Sequence, residues 1–67
     1  METKTKLTLK AARVNAGLTQ KELAELMNVT LPTIAKWENN SGELKMKQAR
    51  KICKILKVGI DEIFFEN

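Results

Sequence analysis

The stretch TQKELAELMNVTLPTIAKWEN, residues 19–39, decides how this chain folds, because it holds two helix signals with almost nothing between them. Thr19, with Glu22 three residues on, makes a capping box: the threonine oxygen can take an orphan backbone N–H while the glutamate reaches back. Leu23, Leu26 and Met27 then give an amphipathic helix. Asn28 should end it, being one of the few residues besides glycine that tolerate the left-handed conformation. Thr30 can cap the next helix, Pro32 suits its first turn, where a missing N–H does no harm, and Ile34 and Trp37 give it one apolar side as far as Glu38. Asn28 and Val29 leave room only for a sharp turn, so the two helices must cross steeply. Close crossing needs a small residue on the inner face, which is Ala24, and apolar filling for the corner, which Leu23, Met27, Val29, Ile34 and Trp37 supply.

Outward from this unit the punctuation continues. Thr8 caps a first helix near residues 8–16 with Leu9, Ala12 and Ala16 at helical spacing, and Gly17 stops it. Asn39 to Gly42 reads as a loop. Met46, Ala49, Ile52, Cys53 and Leu56 form the apolar stripe of a fourth helix whose other side carries Lys47, Arg50, Lys51 and Lys54. Gly59 to Phe65 reads as a short fifth helix, with Asp61 and Glu62 at the positive end of its dipole. The expected fold is all-α, a compact bundle of five short helices. Residues 1–6 are expected to be a flexible N-terminal arm, and residues 7–67 the single domain.

Composition excludes several classes of function. The chain of 67 residues has one cysteine and no histidine, so an internal disulfide is impossible and the usual Cys and His zinc sites are excluded. No metal or cofactor is expected, and Cys53 reads as a small core residue in a reducing compartment. With no glycine-rich phosphate loop and no assembled base, nucleophile and oxyanion donor, an enzyme is not expected. No apolar run exceeds three residues, which argues against a membrane span or an export signal and for a cytoplasmic protein. Twelve Lys and Arg against eight Asp and Glu give a net charge of +4 and a pI near 9.5, which favours a polyanionic partner.

Taken together, Gln20 to Asn39 resembles the helix-turn-helix of the Cro and phage-repressor family, also called the XRE family, with its lambda-repressor-like bundle. The likeness runs over roughly residues 7–65: Arg13 ahead of GLTQKELA, then VTLPTIAKWEN, then KICKILKVGIDEIF. It implies that the third helix enters the major groove of double-stranded DNA, with Leu31, Pro32 and Lys36 meeting base edges. Helical geometry agrees: at about 100° per residue Ile34 and Trp37 point inward, while Pro32, Ala35 and Lys36 cluster on the far side with Leu31 at its border. Lys36 can donate to guanine O6 or N7, and Leu31 and Pro32 can touch a thymine methyl. Leu31 can equally close the edge of the core.

The same resemblance implies phosphate contacts for Thr19, Gln20, Thr30, Thr33 and Asn39, as helix N-termini would favour, with Lys10, Arg13 and Lys45 as further candidates. It also implies an ion pair between Arg13 and Glu38. The basic side of the fourth helix reads as a solvated face or as a nucleic-acid patch. Phe65 is the candidate dimer contact. The function implied is a sequence-specific DNA-binding regulator, a repressor, acting as a homodimer at least on DNA, with half-sites roughly 34 Å apart. The rival reading is a helical protein-interaction module or antitoxin-type partner of another protein, favoured by the apolar Leu31–Pro32 pair and by a loop, Ser41 to Glu43, without lysine or arginine.

Overall fold

Four α-helices follow one another through short connections in the computed structural model, which describes residues 6–63 and residue 65. They are α1 (Leu9–Asn15), α2 (Gln20–Met27), α3 (Leu31–Asn39) and α4 (Met46–Leu56). Apart from Lys6, the expected N-terminal arm lies outside the described residues, as does Phe64.

The local signals account for most helix ends. Thr8 Oγ1 accepts the Ala11 N–H at 3.1 Å to start α1, and Gly17, at φ +77°, turns the chain behind it. Both halves of the capping box form at α2: Thr19 Oγ1 accepts the Glu22 N–H at 3.0 Å, and Glu22 Oε1 accepts the Thr19 N–H at 2.8 Å. Asn28 closes α2 in the left-handed conformation at φ 61°, and the Val29 N–H then reaches back to the Ala24 carbonyl at 2.9 Å. Thr30 departs from expectation, because its hydroxyl shares a hydrogen bond with the Thr33 hydroxyl at 2.9 Å and caps no backbone group. The start of α3 therefore rests on the preset φ of Pro32 and on packing of its inner face. At α4 the Gln48 side chain accepts the Lys45 N–H at 3.1 Å, and Lys57, at φ 59°, ends the helix.

Packing follows the apolar stripes. α3 lies against α1 and α2, and α4 against α2. Leu23, Ile34 and Ile52 are fully buried at the centre, with Leu9, Ala12, Ala24, Met27, Trp37, Cys53 and Leu56 around them. Three residues read as apolar-face positions are solvated instead: Ala16, the C-cap of α1, is exposed, Leu26 is 52% exposed and Met46 is 61% exposed. Leu26 and Met46 each stand at the margin of their helix's apolar arc.

The expected fifth helix is a correction, since α-helix is absent after α4 among the described residues. Residues Ile60–Glu62 make one 3-10 turn, begun by the Glu62 carboxylate accepting the Gly59 N–H at 2.5 Å. Ile63 then turns extended, at φ −109° and ψ 135°, and forms a parallel β-bridge with Leu7. The physical reason is competition. A segment this short has little helical stability of its own, so tertiary packing decides its path, and the extended path buries Ile63 and lets the Glu62 carbonyl accept the Leu7 N–H at 2.9 Å. The Asn39–Gly42 loop is likewise more ordered than expected, with Ser41–Glu43 in a 3-10 turn and Ser41 buried.

Candidate nucleic-acid interface

The inner side of α3 sets its orientation. Ile34 and Trp37 are buried in the core, so the helix cannot rotate without exposing both. Pro32, Lys36 and Asn39 consequently face solvent, Ala35 is half-buried, and Leu31 at the border is 43% exposed. Part of Leu31 thus packs on the protein while part remains open to a partner.

Behind this face lies a polar cluster joining three helices. Arg13 on α1 donates through Nε to Glu38 Oε2 at 2.5 Å and through Nη2 to Glu38 Oε1 at 3.5 Å. Its Nη1 donates to the Leu18 carbonyl at 2.8 Å. Gln20 Nε2, at the start of α2, donates to Glu38 Oε1 at 2.9 Å. One carboxylate on α3 thereby holds α1 and α2 in position. Arg13 is buried and each of its three guanidinium nitrogens donates within the protein, so its place is in the ion pair with Glu38, and the Gln20 amide donates to the same carboxylate. What Gln20 retains for an anion is its backbone N–H in the first turn of α2.

The other candidates are distributed over the surface. Thr19, Thr30 and Asn39 are exposed and Thr33 is half-buried. Lys10 and Lys45 are exposed, as are Lys47, Arg50, Lys51 and Lys54 on the outer side of α4. Phe65 is half-buried, and with Leu44, Met46, Ala49 and Ile60 it lines a shallow cavity of about 130 Å³. Sequence reasoning missed the partner of Lys36: its Nζ lies 3.2 Å from Glu43 Oε1. The two residues are seven apart across a helix end, and only the 3-10 turn brings them together, so no local pattern could have announced the pair. Burial pushes the Cys53 thiol above its ordinary pKa, and the Glu62 carboxylate adds to this, so Cys53 is a protonated core group. Among the described residues no cluster of His, Cys, Asp or Glu could hold a metal ion, and no helix is long and apolar enough to cross a membrane.

A model of a helix-turn-helix family matches residues 9–63, which covers α1 to α4 and the bridge at Ile63. The chain belongs to this family. It is the XRE-type helix-turn-helix, a family of DNA-binding domains of transcriptional regulators. This helix-turn-helix chain is 38% identical over 55 residues to the HTH-type transcriptional activator BcrR of Enterococcus faecalis. The match covers 82% of the chain and 27% of that relative, so the chain spans about a quarter of the relative's length. No solved structure matches the chain significantly.

Proposed function

We propose that this domain binds double-stranded DNA sequence-specifically and regulates transcription, with α3 in the major groove. The observation that carries the reading is the division of α3 into a locked inner face, Ile34 and Trp37, and an open outer face of Leu31, Pro32 and Lys36. Lys36 donates to guanine O6 or N7, and Leu31 and Pro32 contact a thymine methyl. Thr19, Thr30, Thr33, Asn39, Lys10, Lys45 and the first-turn N–H of Gln20 bind phosphates and set the register. A single domain of this size covers few base pairs, so specificity comes from a homodimer on a two-fold symmetric site with Phe65 at the contact. The protein works in the cytoplasm without metal or cofactor.

The regulatory effect is repression, since a bound dimer overlapping a promoter excludes polymerase without needing a recruiting surface. Activation is the second reading, favoured by the name of the Enterococcus relative. Selection of bound duplexes from a random pool at two salt concentrations tests the proposal. An enriched two-fold motif that Lys36→Ala degrades at one position per half-site is expected. Retention without enrichment that vanishes at high salt would leave only charge attraction and favour the protein-interaction reading. A reporter carrying the selected motif over its promoter then separates repression from activation by the sign of the change, and sedimentation of wild type beside Phe65→Glu tests the dimer contact.

A further inference from the structure

Lys36 and Glu43 form an exposed ion pair where only DNA contacts were expected. The Glu43 carboxylate bridges two groups with separate oxygens: Oε1 lies 3.2 Å from Lys36 Nζ, and Oε2 accepts from Asn40 Nδ2 at 3.2 Å. Asn40 is itself fastened to the end of α3, its N–H donating to the Lys36 carbonyl at 2.9 Å, and the Glu43 N–H donates back to the Asn40 carbonyl at 3.1 Å. The carboxylate is therefore held beside the reading lysine by the turn, independently of the ion pair.

On this basis, and resting on the DNA-binding reading above, we infer that Glu43 is a specificity-determining residue that keeps Lys36 from phosphates and releases it only to a base-edge acceptor pair. The reasoning is a difference of affinities. Glu43 places a negative charge next to any duplex the helix approaches, a repulsion common to all sequences. A lone phosphate oxygen offers Lys36 little more than the carboxylate it already has. Guanine, with O6 and N7 together at the depth α3 reaches, offers two acceptors and compensates the loss. Affinity for random DNA is thus lowered more than affinity for the operator.

Glu43→Gln keeps an oxygen for Asn40 and removes only the charge. Binding to the selected operator and to a random duplex is measured across a salt series for wild type, Glu43→Gln, Lys36→Ala and the double variant. Glu43→Gln is expected to tighten random-duplex binding about two- to fivefold, steepen its salt slope by about 0.9 as Lys36 gains a phosphate, and change operator affinity less. The steeper slope is expected to disappear in the Lys36→Ala background. A motif-selecting wild type whose ratio and slope are unmoved by Glu43→Gln overturns the inference alone, as does a gain that persists without Lys36. Loss of operator affinity at one cytosine position would assign Glu43 to that base and also overturn it. A wild type that enriches no motif overturns the DNA-binding reading, and this inference with it.

Discussion

α3 carries an ion pair on each side, and the two differ in almost everything but charge. On the inner side Arg13 and Glu38 are 9% and 5% exposed in their side chains; on the outer side Lys36 and Glu43 are 65% and 43% exposed. The inner carboxylate is surrounded by directed donors from α1 and α2, and no buried side-chain nitrogen or oxygen among the described residues lacks a partner. Removing one member there leaves a charge in a medium that cannot solvate it. The outer pair is largely exposed to water, which screens it, so it contributes little to folding. One helix can therefore be rigidly seated by one ion pair and keep a replaceable one for its surface work.

The strongest way to break this comparison is Glu38→Ala, which strands the Arg13 guanidinium and the Gln20 amide. A loss of about 3–5 kcal/mol is expected in thermal or urea unfolding, enough to unfold most of a domain this small. A loss below about 1 kcal/mol would mean that water reaches the cluster and the inner pair resembles the outer one. Thr19→Ala sharpens the comparison from a different side. Thr19 is exposed, yet its hydroxyl serves a backbone N–H, so about 1 kcal/mol should be lost where exposure alone would predict nothing.

Smaller still are the outer-face variants. Lys36→Ala and Glu43→Gln should each leave unfolding free energy within about 0.5 kcal/mol of wild type, while Lys36→Ala weakens operator binding. A shared stability loss well beyond that would make the outer pair structural. The slightest effect near neutral pH belongs to Cys53. Its thiol holds its proton to higher pH in the fold than in the unfolded chain, where desolvation and Glu62 no longer oppose ionisation. The unfolded state therefore gives up the proton first, and stability falls as pH rises above roughly 8.5. Melting temperatures at pH 7 and pH 9.5 should drop further for wild type than for Cys53→Ala; equal drops would assign the alkaline loss to other groups.

Much of the fold was legible because its signals are local. Thr8, the Thr19–Glu22 box and Asn28 act within one helical turn, so residue type and spacing are nearly sufficient. Thr30 shows the limit of such reasoning, because Thr33 offered its hydroxyl a competing local partner that the capping rule does not weigh. Leu26 and Met46 show another, since periodicity gives a helix its apolar arc but not which part of the arc a neighbour covers.

By itself the sequence determined a chain of short helices, the sharp turn between α2 and α3, and which residues of α3 face inward and outward. These follow from backbone sterics, capping chemistry and the 3.6-residue period, all of which act over a few residues. Only the tertiary structure decided that Ile63 leaves the helical path to pair with Leu7, that Glu38 gathers Arg13 and Gln20, and that Glu43 meets Lys36. Each of those joins groups from separate elements. Their energies depend on which surfaces meet and how far water is excluded, quantities that exist only once the helices have packed.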